Sequence, residues 1–139
     1  MCGIFGCISP DASTRVLEGL RKLEYRGYDS AGLAALFPEQ EGPIETERTT
    51  GYVADLVSKA NGRFTGSHIS IGHTRWATHG GVTDENAHPH SSEDGLITVV
   101  HNGIIENANE LTELVKNHGY QMSSQTDSEV IVHLLDFEL

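Results

Sequence analysis

Apolar positions recur along the chain with the spacing of strands and helices. Residues 3–9 form a short apolar run that ends at Pro10, which indicates a buried strand. The polar stretch 38–43 is bounded by two prolines and suits a hairpin loop. Similar patterns predict further strands at 32–37, 44–49, 68–73 and 96–101.

Four segments have helical periodicity instead. A helix with Ser13 as its N-cap places Val16, Leu17, Leu20 and Leu23 on one side. Three more are predicted: one over 53–60, one over 111–118 with Gly119 as C-cap, and one opened by a capping box at 126–129.

The connections between these elements look like hairpins and not like regular βαβ units. The pattern therefore predicts an α+β fold with a largely antiparallel sheet, forming one domain over 1–139. The last helix is still running at Leu139, so we expect a truncated piece of a longer protein.

Composition and charge exclude several classes of partner and location. Nine basic and twenty acidic residues give a net charge of −11, which argues against nucleic acid or an anionic membrane as partner. No apolar stretch approaches the roughly 20 residues of a membrane span, and no signal peptide is evident. Cys2 and Cys7 are poorly placed for a disulfide, so a cytoplasmic location is expected.

Cys2 is notable for its position. Removal of Met1 would give a terminal cysteine that carries a nucleophilic thiol together with an α-amine of pKa about 7.7–8.0, which can act as a base. The alternative is a small, inert, buried side chain near a frayed terminus.

Two further clusters follow predicted strands. In 72–81, Arg75 has the planar fork that binds a carboxylate, and Trp76 begins a loop that could close over a ligand. The alternative is an ordinary strand end. In 101–107, Asn102 and the Gly103 N–H could stabilise an oxyanion, although Asn-Gly is also a common hairpin turn.

Asp127 could hold an ammonium group, or it could simply interact with the dipole of the helix that follows. The histidines around His79, His88 and His90 lack the spacing of a metal site, because Pro89 interrupts any regular element. No phosphate-binding glycine motif is present.

Taken together and in order, these blocks resemble the class II glutamine amidotransferases, which are N-terminal-nucleophile hydrolases. The resemblance rests on six segments: Met1-Cys2-Gly3-Ile4-Phe5-Gly6, Tyr25–Gly32, His73–Gly80, Asn86–His90, His101–Asn107 and Thr126–Glu129. The Tyr25–Gly32 block is most similar to the glutaminase domain of glutamine–fructose-6-phosphate aminotransferases.

The resemblance implies hydrolysis of the glutamine γ-amide through a thioester on Cys2, with no metal or organic cofactor. It implies oxyanion donors at Asn102 and Gly103, with Arg75 holding the α-carboxylate and Asp127 the α-ammonium of glutamine. Trp76, Thr78 and His79 would belong to the closing loop, and Arg26 would be a supporting residue near the nucleophile.

It also implies an αββα sandwich with antiparallel sheets, of which this chain would be the N-terminal portion. The isomerase domains that bind fructose 6-phosphate would be absent, and the parent enzyme would be a homo-oligomer. Two alternatives stay open. The chain could be a non-catalytic fragment or interaction module, or it could belong to another class II enzyme such as an amidophosphoribosyltransferase.

Overall fold

The computed structural model describes residues 1–139, whose strands form two antiparallel sheets. The four-stranded sheet has the order β1-β4-β2-β3, built from β1 (Gly3–Ile8), β2 (Ser30–Leu36), β3 (Glu45–Thr50) and β4 (Ile69–Arg75). A small second sheet pairs β5 (His90–Ser91) with β6 (Thr98–Val99). Every pairing is antiparallel, which confirms the prediction.

Helices cover the outer sides of both sheets. They are α1 (Ala12–Leu23), α2 (Val53–Ala60), α3 (Ala108–Asn117) and α4 (Glu129–Glu138), with a 3-10 turn at Glu24–Arg26. α1 and α2 pack on the four-stranded sheet, α4 packs on β5 and β6, and α3 packs on α4. The layers thus run helix, sheet, sheet, helix. None of the helices has the length and apolar character needed to cross a bilayer.

The main apolar core lies between the four-stranded sheet and the first two helices. Val16 and Leu20 of α1 and Leu56 of α2 meet Leu33 of β2, and all four are fully buried. Their burial follows from the helical spacing on α1 and α2 and from the alternation along β2. This core fixes the strand ends from which the candidate site is built.

The opposite face of β2 comes very close to the segment that leads into β5. A Cβ added at Gly32 would lie 2.0 Å from the carbonyl oxygen of His88. Only glycine allows this approach between the two sheets. Gly32 therefore sets the distance between the four-stranded sheet and the histidine-rich segment beside it.

The predicted N-cap of α1 is wrong. Ser13 lies inside the helix, where its hydroxyl donates to the Phe64 carbonyl at 2.6 Å. The first backbone N–H groups of the helix donate instead to Ser67, from Ala12 at 2.9 Å and from Ser13 at 3.0 Å. A distant loop thus replaces the local cap, which the local sequence pattern does not reveal.

Two other predicted features differ. The strand expected at 96–101 is reduced to the two residues of β6, because only β5 pairs with it. The capping box at 126–129 does not form. The Glu129 carboxylate accepts hydrogen bonds from Ser123 and Ser124, and not from the backbone N–H of Thr126. α3 ends near the expected place, with Gly119 at a φ of +94° just beyond it.

Candidate active site

A cavity of about 190 Å³ opens where the end of β4, the loop after β6 and the start of α4 meet the N-terminus. Eight of the residues predicted for the site line it: Cys2, Arg75, Trp76, Thr78, His79, Asn102, Gly103 and Asp127. They come from four separate parts of the chain, which only the fold brings together.

Cys2 directly precedes β1, and its thiol is held by the start of the loop after β4. The Trp76 N–H donates to the Cys2 Sγ at 3.2 Å, and the Sγ lies 3.6 Å from the Trp76 carbonyl oxygen. These two contacts hold the thiol against the backbone at the end of β4. Cys2 is only partly buried and lines the cavity.

Arg75 ends β4 and is 4% exposed. Its guanidinium donates to the carbonyl oxygen of Gly81 at 2.9 Å and to that of His79, so residues 76–81 wrap around the side chain. Burial lowers the pKa of Arg75. The guanidinium remains charged nevertheless, since its pKa begins far above neutrality.

The 76–81 loop is fixed at both ends. Near its start, the Ala77 N–H donates to the Asp29 carboxylate at 2.9 Å. Near its end, the Asn86 side-chain amide donates to the Gly81 carbonyl at 3.0 Å. The Trp76 ring meets Tyr28 edge to face, with centroids 5.4 Å apart, and is 43% exposed at the cavity mouth.

Asn102 and Gly103 lie in an irregular loop, so the hairpin-turn alternative is wrong. The strand before them stops at Val99, and the chain continues into α3 without pairing back. Gly103 has a φ of +148°, and a Cβ there would lie 3.0 Å from the His101 ring. The backbone conformation therefore favours glycine, and a Cβ would in addition press on the His101 ring.

Asp127 ties that loop to the start of α4. Its carboxylate accepts a 2.7 Å hydrogen bond from the Ile105 N–H. The flanking hydroxyls extend the connection: Thr126 Oγ1 lies 2.7 Å from His90 Nε2, and Ser128 Oγ lies 3.0 Å from His101 Nδ1. Asp127 thus has a structural partner as well as a face on the cavity.

Arg26 is the one predicted site residue that does not line the cavity. It ends the 3-10 turn, and the next residue, Gly27, abuts the N-terminus, where an added Cβ would lie 2.8 Å from the Met1 carbonyl oxygen. Arg26 therefore lies one position from the backbone beside Cys2.

Three buried histidines lie side by side, and each has a different hydrogen-bond partner: the Asn102 side chain for His73, the His101 N–H for His88 and the Thr126 hydroxyl for His90. His88 stacks on His73 with centroids 4.1 Å apart and tilts toward His90 at 4.7 Å. Burial lowers the pKa of all three, to about 4 for His73. No group of three or more His, Cys, Asp or Glu side chains has a geometry suited to a metal ion.

Several residues at or near the cavity were not predicted as site residues. His88, His101, Thr126 and Ser128 contribute to the lining, and His73 lies just behind Asn102. Each falls in or beside a segment that carried the family resemblance. Their position within these motif segments is the available signal, but spacing alone does not indicate which side chains meet.

Comparison with known proteins identifies the fold family. The model of the glutamine amidotransferase domain matches residues 45–137. The chain belongs to this family. The glutamine–fructose-6-phosphate aminotransferase [isomerizing] of Clostridium tetani is 50% identical over 138 residues, which is 99% of this chain and 22% of that protein. The enzyme of the same name from Pyrococcus horikoshii is 51% identical over 140 residues, 100% of this chain and 23% of that protein.

Solved structures agree with the sequence relatives. The glutamine phosphoribosylpyrophosphate amidotransferase of B. subtilis, complexed with ADP and GMP, superposes with a TM-score of 0.79 at 25% identity. A second structure, described as the allosteric regulatory enzyme of purine biosynthesis, gives 0.81 at 26% identity. Each superposition covers 98% of this chain and 29% of the other. The predicted class II, N-terminal-nucleophile fold is thereby confirmed.

The family member described here spans about a fifth of the length of the curated relatives it matches. Its similarity covers the part of those enzymes that corresponds to a glutaminase. The chain is 50% identical to a glutamine–fructose-6-phosphate aminotransferase but only 25–26% identical to the two amidotransferase structures. This difference favours the fructose-6-phosphate aminotransferases as its nearer relatives.

Proposed function

We propose that this chain is the N-terminal portion, residues 1–139, of a glutaminase domain that supplies ammonia for converting fructose 6-phosphate to glucosamine 6-phosphate. The observation that carries the proposal is the convergence of Cys2, Arg75, Asn102 and Asp127 on one cavity in a glutamine amidotransferase fold. The acceptor chemistry would belong to isomerase domains outside this chain.

The proposed reaction begins once Met1 is removed and the α-amine of Cys2 is free. The thiolate attacks the γ-carbonyl carbon of glutamine, and the oxyanion is stabilised by the Asn102 side-chain amide and the Gly103 N–H. The α-amine of Cys2, which took up the thiol proton when the thiolate formed, gives that proton to the amide nitrogen as the carbon–nitrogen bond breaks, and ammonia leaves. Water, deprotonated by the amine, then cleaves the glutamyl thioester to glutamate.

Recognition of glutamine is assigned to two charged groups that line the cavity. Arg75 is the only guanidinium in the lining and would bind the α-carboxylate. Asp127 would bind the α-ammonium. The half-exposed Trp76, with Thr78 and His79, would close over the ligand and exclude water.

The nucleophile is tested by intact-mass analysis after incubation with a γ-diazoketone analogue of glutamine. We expect loss of Met1 and a single adduct on the unsubstituted 139-residue chain, and no adduct on the Cys2→Ser variant. Cys7→Ser is the matched control, because Cys7 lies within β1 beside Ser9 and outside the cavity lining. An adduct that persists in Cys2→Ser would refute the assignment.

The carboxylate site is tested by glutamate release from glutamine. Arg75→Lys keeps the charge but loses the fork and part of the loop anchoring, so we expect the KM for glutamine to rise at least about tenfold. Arg21→Lys on the exposed side of α1 should leave the KM unchanged. An unaltered KM in Arg75→Lys would remove Arg75 from the binding site.

A second candidate function is the glutaminase portion of an amidophosphoribosyltransferase, favoured by the two structural superpositions. Joining the chain to each type of acceptor domain and assaying product formation from glutamine distinguishes the two. We place the parent enzyme, as a homo-oligomer, in the cytoplasm, because its proposed substrates are metabolites and both cysteines are free thiols.

A further inference from the structure

His73 is a fully buried titratable residue that the proposed reaction does not use. It lies on β4, is 1% exposed, and its Nε2 is 2.7 Å from the Asn102 side-chain oxygen. Its other ring nitrogen, Nδ1, is buried without a hydrogen-bond partner. The one side-chain hydrogen bond of the ring is therefore with a proposed oxyanion donor, and the backbone of His101 is its other polar neighbour.

The chemistry of this contact determines which nitrogen carries the proton. An amide oxygen can only accept, so the hydrogen must be on Nε2 and Nδ1 must be bare. Reversing the Asn102 amide would require the hydrogen on Nδ1, which would leave an orphaned N–H in the interior. Buried orphaned N–H groups are rarer than buried orphaned acceptors. Burial also lowers the pKa of His73 to about 4, so the ring is neutral near pH 7.

The rings and backbone behind His73 hold it in place. His88 stacks on it at an interplanar angle of 13°. The Nδ1 of His88 accepts a 3.3 Å hydrogen bond from the N–H of His101, the residue before Asn102. The histidine pair thus contacts both the backbone and the side chain of the segment that would form the oxyanion hole.

We propose that His73 is a positioning residue that holds the Asn102 carboxamide with its NH₂ group turned toward the cavity. The inference rests on the proposed function, because the NH₂ group matters only if an oxyanion forms there. With the amide reversed, an oxygen would face the developing negative charge, and the site would lose a donor and gain a repulsion.

A double-mutant cycle tests the proposal in the 139-residue chain with glutamine. His73→Phe keeps a stackable ring but has no donor, whereas His73→Gln can still donate to the Asn102 oxygen. We expect His73→Phe to lower kcat about 10–100-fold with the KM within about threefold, and His73→Gln to recover most of kcat. In an Asn102→Ala background, His73→Phe should have no further effect on kcat.

A purely structural role gives a different pattern. His73→Phe would then lower kcat by the same factor with and without Asn102, and that additivity would overturn the proposal. An unchanged kcat in His73→Phe would also overturn it. Purified variants should first be compared with the unsubstituted chain by circular dichroism. If His73→Phe does not fold, the kcat of His73→Gln is measured in its place.

The protonated nitrogen can be measured without any activity. Nitrogen-15 NMR of the histidine side chains at pH 7 should show His73 with hydrogen on Nε2 and a bare Nδ1. Hydrogen on Nδ1 would overturn the proposal. If the parent chain releases no glutamate, the proposed function fails on its own terms, and the NMR result still decides how His73 and Asn102 are oriented.

Discussion

Two regions of this molecule are stabilised in different ways. The helix-backed sheet, residues 3–75, holds most of the buried apolar side chains, including Val16, Leu33 and Leu56. The polar segment, residues 76–139, has few of these and instead buries hydrogen-bonded side chains such as His90 and Glu129.

This difference assigns the two regions different tasks: the helix-backed sheet provides the scaffold, and the polar segment orients the groups around the cavity. Apolar contacts are non-directional and tolerate adjustment, so the helix-backed sheet supplies a stable scaffold. Hydrogen bonds are directional, so the polar segment can fix the orientation of individual groups around the cavity. The polar segment is therefore sensitive to substitution, because removing one buried polar partner leaves other buried groups without a hydrogen bond.

The largest effect is expected at Glu129, which lies at the centre of the polar segment. Its carboxylate accepts hydrogen bonds from Ser123, Ser124 and His133 and is 1% exposed. Burial opposes its ionisation, but these hydrogen bonds outweigh that effect and lower its pKa. Glu129→Gln turns an amide donor toward existing donors and should cost about 3–5 kcal/mol of unfolding free energy.

Urea denaturation measures this loss, and hydrogen exchange should place the added opening in residues 123–133. Glu138→Gln, at the exposed end of the same helix, is the matched control and should stay within about 0.5 kcal/mol. Equal losses in both variants would show that the polar segment does not depend on this carboxylate.

A smaller loss is expected at Leu33, in the core of the helix-backed sheet. Leu33→Ala removes fully buried methyl groups and should cost about 3 kcal/mol, through lost burial and a residual cavity. Leu96→Ala is the control, because Leu96 is 55% exposed. Chemical denaturation should show one cooperative transition shifted to lower urea. Selective opening of residues 123–133 would contradict the division between the two regions.

Mild acid should weaken the contacts between the two regions. His73 has an ordinary pKa of 6.5 that burial lowers to about 4, and burial lowers the pKa of His88 and His90 as well. Below pH 6.5 the unfolded chain binds protons that the folded chain does not. Stability is therefore present above pH 6.5 and falls as the pH drops toward 4.

From pH 7 to pH 5.5 the loss from His73 alone should be about 1 kcal/mol. Thermal unfolding at several pH values measures it. His73→Phe should have a shallower pH dependence than the parent chain, while replacement of the exposed His68 by Gln serves as the control. An unchanged slope in His73→Phe would contradict the burial of a neutral ring at this position.

The sequence alone determined the element types, the antiparallel class and the family. Apolar spacing located α1 and α2, because burial on one face of a helix imposes a period of 3.6 on the residues themselves, and short apolar runs located β1, β2 and β4. The expected burial of β1 is wrong, since Ile4, Phe5 and Ile8 are 42%, 37% and 82% exposed. The ordered motifs identified eight residues that line the cavity. Their individual roles stay predictions.

Only the tertiary structure decided how the polar residues are paired. Ser13 bonds Phe64 and Glu129 bonds Ser123 and Ser124, so neither forms the local cap that its neighbours in sequence suggested. His73 and Asn102 are 29 positions apart and meet because β4 and the loop after β6 end at the same cavity. A hydrogen bond depends on distance and angle between two groups, and those are fixed by packing and not by spacing along the chain.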